Sequence, residues 1–394
     1  MMGHMSARVG AAGPGSAGRG RSSRWRIAAL VSAGALTGLM VGVAPAAASP
    51  THFRQINMVA DVPGAAALTD PDLVNAWGMS ASPGTDQAPG SPLWVSDNGT
   101  DKTTLYAGAT ATTVTKVGLV VTITSGAPTG QVFNTDADPN AFVVHDAAGH
   151  SGRAVFIFDS ENGGIDGWNP GVGATGPGPS TVTETAVKNG ANAVYKGLAI
   201  AQASDGHTYL YAANFRSGRV EAYDSTFTPV ELPGGLFVDP RIPAGYAPFN
   251  VQELAGQLYV SYAQQDATLR DDVAGQGHGF VDVFSNDGAF IRRLVTRGAL
   301  NSPWGLALAP AGFGQFAGAL LVGNFGNGHI NAYNPTTGVH LGQLRTANGR
   351  PIVIDGLWGL RFGNGNAAKT SELLFTAGPD DESHGLLGKI VTSG

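Results

Sequence analysis

Between residues 53 and 392 apolar and polar positions alternate with period two in short runs, and the runs return in a fixed order. One pattern carries the register: a turn residue, any residue, an aliphatic, any residue, a small or aliphatic residue, then an aromatic. It reads Gly163-Gly164-Ile165-Asp166-Gly167-Trp168, Gly218-Arg219-Val220-Glu221-Ala222-Tyr223, Gly279 to Phe284 and Gly328 to Tyr333. Degenerate copies begin at Asp101 and Gly388, so six copies lie 49 to 62 residues apart. Period two with a glycine entry predicts a strand at each copy.

Each copy follows a second apolar run: Leu93 to Val95, Ala154 to Phe158, Tyr209 to Ala212, Leu258 to Tyr262, Ala319 to Val322 and Leu373 to Phe375. A third set lies upstream, at Ala76 to Met79, Ala141 to Val144, Gly197 to Ile200, Phe249 to Val251, Trp304 to Ala307 and Trp358 to Leu360. A fourth strand follows several copies, as at Lys116 to Ile123 and Phe290 to Val295. Six units of about four strands predict an all-β, six-bladed β-propeller over residues 49–394. The sixth unit stops after its third strand, and Phe53 to Val59 is an orphan strand at the start. Pairing the two is expected to close the ring.

The first 48 residues form a separate segment. They hold Arg8, Arg19, Arg21, Arg24 and Arg26, no carboxylate, an apolar run from Ile27 to Val43, and then Ala46-Ala47-Ala48. That order is expected of a secretory signal peptide with cleavage near Ala48, leaving a secreted, extracellular protein without stable membrane insertion. The remaining 346 residues carry 18 basic and 29 acidic side chains, which argues against nucleic acid as a partner. Glycine, at 58 of 394 residues, disfavours long helices, while 43% hydrophobic residues suffice for a core. With no cysteine, that core has no disulfide to support it.

In a propeller the loops between second and third strands share a face with the loops that enter each innermost strand. Here the former concentrate Asp, Asn, Gln and His. Asp97, Asn98, Asp159, Asn214, Arg216, Gln265, Asp266, Asn324, Asp380 and Asp381 are the candidate ligand-binding residues. The same residue types also serve as ordinary turn formers. Oxygens of Asp97, Asp159, Asn214, Asn324 and Asp380 converging on the channel would suit Ca²⁺ or another divalent cation, although no D-x-[DN]-x-[DN]-G loop is present. His278, His329 and His384 offer a weaker zinc set. Lys102, Arg219 and Lys389 recur at one repeat position, where they form salt bridges or meet an anion. Trp77, Trp304 and Trp358 are expected to pack between blades. Neither a G-x-S-x-G nucleophile elbow nor a phosphate-binding loop occurs.

Several motifs together resemble a known group: Asn75-Ala76-Trp77-Gly78, Pro128-Thr129-Gly130-Gln131-Val132-Phe133-Asn134, Tyr195-Lys196-Gly197-Leu198, Pro303-Trp304-Gly305-Leu306 and Thr376-Ala377-Gly378-Pro379-Asp380-Asp381-Glu382. They are similar to an exported bacterial propeller family of unassigned activity, some members of which carry a PEP-CTERM sorting tail. The architecture is of the NHL and gluconolactonase kind. The resemblance implies a fold and an exported location, and no catalytic residues. The leading expectation is a binding module for a small molecule, polysaccharide or protein on the polar loop face. A divalent-metal-assisted hydrolase, lactonase or lyase, and a structural cell-wall or matrix protein, are the alternatives.

Overall fold

The computed structural model describes residues 51–393 apart from Pro233 and Leu236. The expected signal peptide, residues 1–48, lies outside the described residues. Six blades of four antiparallel strands are built in the order the repeat predicts, and the sheet of blade six also carries the two-residue strand Leu68–Thr69, paired parallel to Val59 and Ala60. Blade one comprises Ala76–Ser80, Leu93–Asp97, Lys102–Ala107 and Thr115–Thr122. The innermost strands of blades three to six are Tyr195–Gln202, Tyr246–Leu254, Pro303–Leu308 and Leu357–Phe362. Among the described residues the only helical segments are three single 3₁₀ turns.

The ring closes as the orphan strand requires. His52–Ala60 is the outer strand of blade six and pairs antiparallel with Leu386–Ser393, with Gln55 opposite Ile390 and Ile56 opposite Lys389. A lock follows the strand: Asp61 accepts from His384 Nδ1 at 2.8 Å and from the Gly385 amide at 2.9 Å.

Blade two departs from the expectation. Its innermost strand is Pro128–Phe133, not Ala141–Val144. Val143–His145 instead pairs with Ser151–Arg153 in a separate two-stranded hairpin. The reason is visible in the side chains. The true inner strand carries Thr129 and Gln131, both buried and hydrogen-bonded, so it lacks the apolar alternation by which the other strands are recognised.

Burial follows the radial plan. Six apolar clusters lie between neighbouring blades, for example Trp94, Leu105, Phe156, Phe158 and Trp168 between blades one and two. A seventh lies on the axis and contains Trp77, Phe215, Phe249, Trp304 and Trp358, with Phe325 packed on it. The expectation that the indoles pack between blades is corrected: they meet one another on the axis. Trp358 is sandwiched between Trp77, at 3.6 Å between ring centroids, and Phe325, at 3.9 Å. Trp304 meets Trp358 edge-on at 6.0 Å. Close backbone approach makes this packing possible. A Cβ at Gly359 would lie 2.9 Å from the Trp77 carbonyl oxygen, and one at Gly78 would lie 2.3 Å from that of Thr129. Side chains larger than hydrogen would push the inner strands apart and open the aromatic plug.

Candidate functional site

The inner strands break register at one level, where Trp77, Thr129, Lys196, Phe249, Trp304 and Trp358 occupy corresponding positions around the channel. Three tryptophans and a phenylalanine fill it. Thr129 and Lys196 are the exceptions, and Lys196 is a fully buried ammonium 5.1 Å from the Trp77 ring centroid. An ammonium over an indole face is attracted by its quadrupole.

Carboxylates from two other blades gather on that ammonium. Glu161, in the loop between the second and third strands of blade two, forms a direct ion pair with Lys196. Asp271, from the long loop of blade four, comes within 3.3 Å of it. Arg270 lies 3.6 Å from the other Glu161 oxygen, to which Asn98 Nδ2 also donates at 3.2 Å. Asn75 Nδ2 donates to Asn98 and, at 2.6 Å, to Glu382 of blade six. Below, Trp358 Nε1 donates to Asn75 Oδ1 and Trp304 Nε1 to the Lys196 carbonyl. The Trp77 indole N–H is buried without an acceptor.

The electrostatics separate the two glutamates. Burial pushes Glu161 up, but the Lys196 charge, its hydrogen bond and Arg270 outweigh this and hold Glu161 below the usual carboxylate range. Burial raises Glu382, and its proximity to Glu161 and Asp271 adds to that despite Lys196 and Asn75. The carboxylates in turn hold the Lys196 ammonium above its ordinary value against burial. Glu382 is also presented at a conformational cost. Asp380, Asp381 and Glu382 have φ of 54°, 52° and 64°, three successive non-glycine residues in the left-handed region. Such residues cost about 1 kcal/mol each or more, least for Asp, and persist where surroundings enforce them.

The sequence-predicted residues divide. Asn98 belongs to the cluster. Gln265 ties the long loop to the Phe215 carbonyl at 2.6 Å, and Asp266 caps the turn that carries Arg270 and Asp271. Asp380 and Asp381 form the turn that presents Glu382. Arg216 is half-buried, with its Nε–H lacking an acceptor. The other predicted ligands turn into their own blades. Asp97 accepts from Thr104, and Asp159 accepts from Thr129 at 2.8 Å. Asn214 holds the Ser217 amide and Glu221, and Asn324 holds the Ala299 carbonyl.

Among the described residues no three His, Cys, Asp or Glu side chains gather as a metal centre. The three histidines go separate ways: His278 to the Val273 carbonyl, His329 to Gln343 and His384 to Asp61. Lys102 and Lys389 form salt bridges with Asp72 and Glu372.

Glu161, Lys196, Arg270, Asp271 and Glu382 were not singled out as site residues from sequence. One signal marks Lys196. Aligning the six inner strands on the residue before Gly78, Gly130, Gly197, Asn250, Gly305 and Gly359 leaves it as the lone cation.

No family model matches the chain. It is 33% identical over 348 residues to the uncharacterised protein R648 of Acanthamoeba polyphaga mimivirus, covering 86% of this chain and 80% of that protein. It is 32% identical over 337 residues to the uncharacterised protein L690 of the same virus, covering 83% and 82%. These relatives are viral, so the expected bacterial family with PEP-CTERM tails is not supported. Among solved structures, the α-L-arabinanase of Penicillium chrysogenum complexed with arabinobiose matches 86% of this chain and 97% of its own, at 10% identity and a TM-score of 0.50. At that identity the likeness concerns the fold alone.

Proposed function

The chain belongs to the propeller family that includes the mimivirus proteins R648 and L690, and we propose that it is a binding module whose ligand lies across the mouth over Glu161, Lys196 and Glu382. One observation carries this reading. A cluster of buried charges is assembled from loops of several blades and finished by a strained turn that presents Glu382. Such an arrangement is costly to bury and is not needed to seal a channel that aromatic rings already fill. The rim offers both acceptors, on Glu382 and Asp271, and donors, on Arg270 and Asn98. That mixture suits a ligand rich in hydroxyl groups, and a polysaccharide is the favoured class. Export is part of the proposal, on the ground of the basic, apolar and Ala-x-Ala order in residues 1–48.

A second reading is favoured by the opposite displacement of Glu161 and Glu382. Two carboxylates pushed apart in proton affinity can serve as base and acid, and hydrolysis of a glycosidic bond is the reaction class that uses such a pair. One experiment addresses both. The purified protein is screened on a polysaccharide array, and the strongest hit is titrated calorimetrically and followed for released reducing ends. Binding that falls at least about tenfold in Glu382→Ala supports the module. Turnover lost in Glu382→Gln while binding is kept favours the enzyme. Equal binding by wild type and Glu382→Ala overturns this site.

A further inference from the structure

The opposite end of the channel is built differently. Two cavities of about 210 and 310 Å³ open there and share Met79, Gln252, Glu253 and Arg361 as walls. They lie at the far ends of the inner strands, where the chain turns outward to the second strand of each blade. A narrow void of about 20 Å³, walled by Gly78, Gly130, Asn250 and Trp304, leads up beneath the aromatic plug.

Arg361 is the unusual wall. Its Nη2 donates to the Ala81 carbonyl at 3.0 Å, and its Nε–H is buried without an acceptor. Among the described residues no carboxylate comes within ion-pair distance of it, whereas Arg241, Arg270 and Arg293 each have one. Burial alone lowers its proton affinity, to about 10. Glu253 shares the walls, yet its carboxylate is tied to the Gly256 amide at 2.6 Å. A half-buried cation whose Nε–H is buried and whose one acceptor is neutral is under-compensated, and these cavities leave room beside it for a counter-charge.

We propose that the lower mouth binds a small aliphatic carboxylate, its head group on the Arg361 guanidinium and its tail along Met79, Leu306, Leu360 and Phe362. A planar guanidinium matches a carboxylate geometrically. A single cation beside Glu253 would leave a phosphate dianion under-neutralised. The apolar walls select a tail over a bare ion, and the larger cavity reaches the lower end of the range of small-molecule sites.

The test is calorimetric titration of the full chain with sodium octanoate, with octanamide and inorganic phosphate as comparators. Octanoate is expected to bind at one site, with octanamide at least about tenfold weaker and phosphate weaker still. Arg361→Gln is expected to lose octanoate by a similar factor, its fold checked by circular dichroism. Gln252→Phe, which narrows all three voids and leaves the charge, is expected to weaken octanoate and octanamide together. Equal binding of octanoate and octanamide, no octanoate binding, phosphate binding as tight as octanoate, or a folded Arg361→Gln that binds octanoate normally would each overturn the proposal. Binding across the upper mouth is untouched by any of these results.

Discussion

The two mouths of one channel solve the problem of buried charge in opposite ways. At the upper mouth Lys196 is fully buried and meets Glu161 and Asp271, with Arg270 and Asn98 on the other Glu161 oxygen and Asn75 linking Asn98 to Glu382. At the lower mouth Arg361 has one backbone oxygen and a cavity. A compensated cluster is held in place by its own partners, and removing one of them exposes the rest. An uncompensated cation is held by packing and depends on what enters from solution. The difference separates a preassembled recognition surface from an incomplete one.

The largest expected effect follows from removing each cation. Lys196→Met leaves Glu161 buried without its ammonium and should cost about 3–5 kcal/mol. Arg361→Gln strands no carboxylate and gives up only the hydrogen bond to the Ala81 carbonyl. It should change stability by under about 1 kcal/mol, in either direction. Urea unfolding of both variants beside wild type measures the contrast. Equal losses would mean that the two mouths are not built differently.

What the sequence disclosed follows the same division between local and assembled features. The seams were legible because Ile165, Val220, Val281 and Ile330 recur at one strand position and all point into the core. Ring closure was legible because the last unit lacks a strand and Phe53 to Val59 supplies one. The inner strand of blade two was not, since Thr129 and Gln131 replace apolar residues with buried hydrogen bonds. The upper site was hidden for a different reason. Glu161, Lys196, Asp271 and Glu382 are scattered over more than 200 residues and meet only once the ring has closed. Asp97 and Asp159 stand at strand ends on the loop face, yet both are wholly buried in their own blades, an orientation that sequence alone does not reveal.

Asp159 provides the next test, because it underlies the one small polar position of the ring, Thr129. Burial raises its carboxyl from 3.8 to about 7, partly offset by hydrogen bonds from Thr129 and the Gly130 amide. A folded-state value above the unfolded one means that its favourable contribution is complete below about pH 4. That contribution is then lost as pH rises to 7. Asp159→Asn keeps the acceptor for Thr129 and removes the titration. The variant should therefore gain on wild type between pH 5 and pH 8, by on the order of 2 kcal/mol. Melting temperatures across that range would reveal it. A constant difference would mean that Asp159 stays ionised, and that the polar sector is charged like the Lys196 sector.

The smallest effect concerns the turn that completes the upper mouth. Asp381 is exposed, with φ of 52°, between two further left-handed residues. Among the described residues its side chain makes no hydrogen bond, so Asp381→Gly removes backbone strain and little else. The relief, set against the greater freedom glycine gives the unfolded chain, should leave a gain of about 0.5 kcal/mol. Glu382 would then be less firmly directed at Asn75, and affinity for the upper-mouth ligand should fall a few-fold. Octanoate binding at Arg361 should not change. Denaturation midpoints and the two titrations together decide the matter. Stability gained with ligand affinity lost would identify the left-handed turn as strain kept for recognition. If neither moves, the turn reflects only the tolerance of Asp for positive φ.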